Sequence, residues 1–291
     1  MQDWAYIGVT AWPDGVGVEA RVRALMVSLG MDEFHASRWA VRAGPVIFAR
    51  IEAALAGGVV RSLHAEGIPA VSPTGSQIRS SPAAWRVKRL TRAMGVSPAM
   101  YAAEMWGKEP TRGLKMGEVE LMVVGRIERR EQRSAMPAVG DGGGASVMMD
   151  GGAGLMALHA SMEGPGAGAS RTTTGSFGHV MDLYTREGER FRIDTDKFSF
   201  DVLGSERGYS DGENFSTLAL RLAGEAPGAL VDDGFARVGD IPGVRTDRSS
   251  SASRATVRRV DRMPAFEVYS PWVWRAEREL SARARRAAGG G

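Results

Sequence analysis

The four histidines, at positions 35, 64, 159 and 179, are the only imidazoles, and the chain has no cysteine. Disulfides, thiolate metal sites and cysteine nucleophiles are therefore excluded. No two histidines show the spacing of metal ligands. His179 with Asp182 is the one pair that could share a proton, but no nucleophile accompanies it. Gly175-Ser176-Phe177-Gly178 lacks the first glycine of a nucleophile elbow, which makes Ser176 a loop residue. Gly107-Lys108 has no upstream glycine where a phosphate loop needs one. Asp194, Asp196 and Asp201 fail calcium-loop spacing, and the glycine-rich stretch 140–154 lacks the strand and helix of a dinucleotide site. No catalytic residue, metal ligand or cofactor is assigned.

The elements around these residues are clearer. Met181 and Leu183 share one face of a strand and Asp182 and Tyr184 the other. After a Glu187-Gly188 turn, Phe191 and Ile193 alternate with Arg190, Arg192 and Asp194. This period of two predicts a half-buried antiparallel hairpin. Phe198, Phe200 and Val202 predict a third short strand. Ser210-Asp211-Gly212-Glu213 has the spacing of a capping box, and Phe215, Leu218, Ala219 and Leu222 share one face of the helix it would open.

Residues 1–73 predict a small α/β domain in the order β-α-α-β-α-β: a strand at 6–10, a helix ending at Gly30, a helix capped by Asp32, a strand at 46–49, a helix closed by Gly67 and a strand at 68–71. This order, with LGMDEFHASRWAVRAGPVIFARI in its middle and HAEGIPAV at its end, resembles the C-terminal domain of the bacterial ribosomal stalk protein over about a quarter of the chain. That family binds translation factors through a lysine-rich helical face. Here the region carries Arg21, Arg23 and Arg38 and no lysine, so the resemblance implies the fold and not a ribosomal role.

Residues 74–112 read as a linker that includes a basic helical segment, Trp85–Met94, with a second helical piece at 98–106. Arg86, Lys88, Arg89 and Arg92 make that segment either a solvated basic face or a surface for nucleic acid or an acidic partner. Val119–Arg133 predicts a long strand, apolar and then charged, whose charges would guard a sheet edge. Residues 136–170 collapse to Gly, Ala, Ser and Met and predict a flexible insertion. Residues 113–240 thus predict an antiparallel sheet closed by a helix. On the DLY-x-x-x-G-x-x-F-x-I pattern at 182–193 and the helix at 213–223, this part resembles a bacterial pleckstrin-homology-like domain. The resemblance implies a scaffold that binds peptides, oligomer partners or lipids.

From 241 the chain predicts a basic, largely disordered tail with a terminal helix, carrying eleven arginines against five acids. Arg258 and Arg259 with Trp272 and Trp274 could contact nucleic acid or an anionic surface; alternatively the tail is solvated and the tryptophans pack back on the body. No apolar run reaches the roughly 20 residues of a membrane span, and the N-terminus lacks the pattern of a signal peptide, so a cytoplasmic location is expected. The reading is an α+β protein that acts by binding. A protein-interaction or regulatory adaptor leads, a nucleic-acid- or ribosome-associated protein is the alternative, and an enzyme centred on His179 and Asp182 is the third possibility.

Overall fold

The computed structural model describes residues 3–135, 170–238, 240–252 and 255–289, a mixture of helices and strands in two compact units. The larger unit, residues 1–129, 176–246 and 261–291, opens with an α/β layer. Strands β1 (Trp4–Val9) and β2 (Val46–Glu52) pair antiparallel with a bulge at Ile7/Gly8. Helices α1 (Val18–Leu29), α2 (Glu33–Ala40) and α3 (Ala53–Ala65) pack with them around Ile7, Val9, Leu25, Phe48 and Leu63. Gly30 ends α1 with φ 64°, a left-handed conformation open to glycine. The Asp32 carboxylate caps α2 by accepting from the His35 N–H at 2.9 Å. The strand expected at 68–71 reduces to single bridges, Val71 to Gly8 and Thr74 to Ala5. Pro69 has no N–H for a ladder, and the Ala70 N–H turns back to the Ile68 carbonyl at 2.8 Å. A short helix α4 (Gly75–Arg79) follows, opened by Thr74 and Gln77 in a capping box.

The linker expected at 74–112 is instead part of a sheet. β3 (Ala84–Arg92), β4 (Met100–Met105) and β5 (Arg112–Lys115) form an antiparallel meander. The two basic and apolar segments that predicted helices at 85–94 and 98–106 are β3 and β4. A bulge between Val87 and Arg89 places buried Val87 and Leu90 three residues apart, a spacing that imitates helical periodicity. In β4 the buried residues Tyr101, Ala103 and Met105 keep the period of two.

β6 (Val119–Ala135), β7 (Ser170–Thr185) and β8 (Arg190–Asp194) continue the sheet, in the order β6-β7-β8-β3-β4-β5. The expected β7–β8 hairpin is present, with Met181 opposite Ile193 and Leu183 opposite Phe191, and Gly188 turns with φ 84°. β8 runs parallel to β3. The third strand expected at 198–202 is a 3-10 turn over Phe200–Glu206, broken at Gly204 with φ 54°, and only Ser199 bridges to Arg89. Helix α5 (Asp211–Glu225) opens on the expected capping box, with Ser210 Oγ accepting from the Glu213 N–H and the Glu213 carboxylate accepting from the Ser210 N–H, each at 3.2 Å. Phe215, Leu218 and Leu222 bury against Met181, Leu183, Phe191 and Ile193 on one face of the sheet. A three-residue strand β9 (Leu230–Asp232) then pairs parallel with Leu121–Val123 of β6.

The other face of the sheet is covered by α6 (Met263–Gly289), a helix of 27 residues that starts well before the expected terminal segment. Phe266, Tyr269, Trp272 and Trp274 pack with Leu121, Val123, Val180 and Tyr184 of the sheet and with Ile47 and Val71 of the N-terminal layer. The Trp272 indole N–H donates to the Tyr6 carbonyl at 2.9 Å. The first half of α6, to Ala276, is core, and Trp272 and Trp274 pack back on the body as the alternative expectation has it.

The smaller unit, residues 130–175 and 247–260, contains the outer ends of β6 and β7 and the hairpin β10 (Asp247–Ala252) and β11 (Ala255–Asp261), in the order β10-β11-β6-β7. The Ser- and Arg-rich stretch expected to be disordered is thus largely strand, with Arg248 opposite Arg259 and Ser249 opposite Arg258. The charged half of β6 is paired, not a guarded edge: Arg259 reaches Glu131 at 2.7 Å. The glycine-rich insertion lies outside the described residues, apart from Ser170. Among the described residues no helix is long and apolar enough to cross a membrane.

Trp272→Ala removes a fully buried indole and its hydrogen bond. It is expected to cost about 3–5 kcal/mol, read as a lower denaturation midpoint with an unchanged slope. A change under 1 kcal/mol (of order one exposed-site substitution) would place α6 outside the core.

Candidate functional site

The alternation that predicted a half-buried hairpin leaves a charged face on β7 and β8, and α6 buries it. Asp182 is fully buried. Its Oδ2 accepts from Arg190 Nε at 3.0 Å and Nη2 at 2.6 Å, and Arg192 donates to Oδ1 and Oδ2 at 2.7 and 2.8 Å. From α6, Ser270 Oγ donates to Asp182 Oδ2 at 2.6 Å and meets the Tyr184 hydroxyl at 2.9 Å. Glu267, one turn earlier, pairs with Arg192. Burial alone would push the Asp182 carboxyl up; the Arg190 and Arg192 guanidiniums outweigh it and hold it down to about 2. For Arg192, burial is likewise overcome by Asp182 and Glu267, and its pKa rises. These groups are locked, not reactive.

Glu267 is 44% exposed on its side chain and marks where the network reaches a small cleft of about 130 Å³. Buried Arg192 and Val87 and half-buried Arg129, Asp194 and Met263 line it, together with the exposed Arg86, Trp106 and Lys197. Arg129 is bound to Asp196 and lies 4.0 Å from Asp194 and 3.9 Å from Asp261. Arg86 and Lys197 are exposed and have no acidic partner among the described residues. The Trp106 indole is 44% exposed, with its N–H donating to the Lys197 carbonyl at 2.7 Å. The cleft is thus lined by two guanidiniums already paired with acids, two cations without an acidic partner among the described residues, the carboxylates of Asp194 and Glu267, and an indole.

The predicted site residues do not converge. On β3, Lys88 and Arg89 both pair with Glu104 at 2.7 Å, and Arg92 pairs with Glu225 at 2.9 Å. Of the four basic residues singled out there, only Arg86 lines the cleft. Arg258 and Arg259 belong to the smaller unit, where they pair with Asp247 and Glu131. Trp272 and Trp274, 0% and 4% exposed, have no face left for a base. Trp274 stacks on Tyr184 at 5.3 Å and donates to Glu120 at 2.9 Å.

His179 and Asp182 lie on opposite faces of β7, as three-residue spacing in a strand requires. The His179 ring stacks on Phe215 at 5.2 Å. Burial, with Arg126 adding to it, lowers the pKa of His179. Among the described residues no group of three His, Asp or Glu side chains could hold a metal ion. Arg129, Arg192 and Lys197 were missed in the sequence because the order β6-β7-β8 brings Arg129 to the end of β8, and the parallel β3–β8 pairing sets Arg86 opposite Arg192. A hint lay in Arg190 and Arg192 sharing strand parity with Asp182.

Replacing Asp182 with Asn leaves two buried guanidiniums short of a counter-charge and is expected to cost about 3–5 kcal/mol. Because the folded-state pKa, about 2, lies below the ordinary 3.8, the carboxylate stabilises the fold above about pH 4, and that contribution is lost as pH falls toward 2. Chemical unfolding at a series of pH values checks this: Asp182→Asn flattens the acid limb of the profile. An acid limb as steep as wild type would assign it to other groups.

No family model, curated protein or solved structure matches the chain.

Proposed function

We propose that the protein is a non-enzymatic binding module that docks a protein partner through an acidic side chain or terminal carboxylate, held between Arg86 and Lys197. The observation that carries this reading is the pair of exposed cations without counter-ions beside Trp106, over a cleft of about 130 Å³. That volume is below the roughly 300–1,000 Å³ of small-molecule sites, so it suits one side chain presented by a larger partner. The pleckstrin-homology-like reading of residues 113–240 would suit this use, with α5 packed on one face of the β7–β8 hairpin, although Arg86 and Trp106 lie outside that span. The stalk-like reading of the N-terminal layer rests on a β-α-α-β-α-β order, of which the last strand reduces to isolated bridges, and it adds no ligand. Against the nucleic-acid alternative, most of the basic residues singled out from the sequence are spent on internal ion pairs.

The test is fluorescence anisotropy with a labelled glutamate-rich peptide, its glutamine counterpart and a single-stranded RNA, across a salt series. The acidic peptide alone is expected to bind, and the double substitution Arg86→Glu, Lys197→Glu to weaken it by at least about tenfold, roughly 1.4 kcal/mol. Both residues are exposed, so stability should change by no more than about 0.5 kcal/mol. Tighter binding of the RNA than of the acidic peptide, insensitive to these substitutions, would overturn the reading.

A further inference from the structure

A second cleft lies on the opposite side of the Asp182 network and differs from the first in size and charge. It encloses about 460 Å³ between the β7–β8 turn, the β6–β9 pair and the second half of α6. Trp274, Arg278, Ser281 and Arg285 line it from α6, a 4-3-4 spacing that sets them on one face of the helix. Arg186 lines it from the β7–β8 turn, and Leu121 and Leu230 add apolar wall from β6 and β9.

Arg186, Arg278 and Arg285 are all exposed and none has an acidic partner among the described residues. The cleft also holds two acids, each with a hydrogen-bond partner. Glu120 accepts the Trp274 indole N–H at 2.9 Å. Glu277 is pushed up in pKa by burial, against a hydrogen bond from Thr10. Arg278 is braced over the Trp274 ring at 5.0 Å, and Trp274 is itself fixed against Tyr184. Three guanidiniums without acidic partners among the described residues, around a volume of small-molecule size, offer donors to a ligand carrying more than one negative charge. Guanidinium forks match phosphate oxygens in pairs.

We propose that this cleft binds a small phosphorylated molecule, with its phosphate groups on Arg186, Arg278 and Arg285 and its less polar part on Leu121 and Leu230. The site goes beyond the docking of an acidic partner at Arg86 and Lys197 and shares no residue with it.

The experiment is isothermal titration calorimetry of the full chain with pyrophosphate, ATP and a phosphoserine peptide. Saturable one-site binding of pyrophosphate or ATP is expected, weakened at least about tenfold by Arg278→Glu and separately by Arg285→Gln, and unchanged by Arg86→Glu. Thermal unfolding of each variant without ligand separates loss of the site from loss of the fold. The absence of saturable binding of either phosphate, binding that survives both substitutions in folded protein, or loss with Arg86→Glu alone would overturn the assignment. Tighter binding of the phosphoserine peptide than of ATP would overturn the small-molecule part of it.

Discussion

One carboxylate between two guanidiniums sets the terms for the larger unit. Asp182, Arg190 and Arg192 sit on the face of β7 and β8 opposite the apolar core, and such groups are stable away from water only when paired and hydrogen-bonded. α6 meets that condition by bringing Ser270 to Asp182 and Glu267 to Arg192. Replacing a buried ion pair by packed apolar side chains often loses no stability. What the network contributes here is register: Ser270 and Glu267 fix which turns of α6 lie over the hairpin. The same registration puts Trp272 against the Tyr6 carbonyl and Trp274 between Tyr184 and Glu120. The N-terminal layer, α6 and the sheet are thereby held as one packed body.

That rigidity shapes both clefts. At the first, Arg192 is held by Asp182 and Glu267 and Arg129 by Asp196, while Arg86 and Lys197 have no acidic partner among the described residues. At the second, the Trp274 ring braced on Tyr184 carries Arg278. Preorganised cations lose little freedom on binding, and more of their attraction appears as affinity. Both clefts border the chain of contacts that runs from Trp274 through Tyr184, Ser270 and Asp182 to Arg192.

Where local patterning and tertiary packing agree, the elements were legible in the sequence. The Ser210 capping box, the Gly30 helix end, the Asp32 cap and the 181–193 hairpin all rest on short-range hydrogen bonding or strand alternation, and each is present. The failures have physical causes. The bulge in β3 gave Val87 and Leu90 a helical spacing. The charged face of the hairpin suggested solvent because its cover, α6, lies some seventy residues further along the chain. Ser- and Arg-rich β10 and β11 look like linker by composition, yet a backbone ladder needs only a neighbour, which β6 supplies. The first cleft was legible in a single residue, Arg86, since its other cations are assembled by long-range pairing.

The first half of α6 belongs to the core through its contacts with a buried charged face. Native-state hydrogen exchange measures this directly. The account predicts that the amides of Phe266, Tyr269, Trp272 and Val273 exchange only on global unfolding, with the same protection as Met181 and Leu183 of β7. Exchange of α6 as a separate unit, well before β7, would contradict it and return the C-terminal segment to the status of an appended helix.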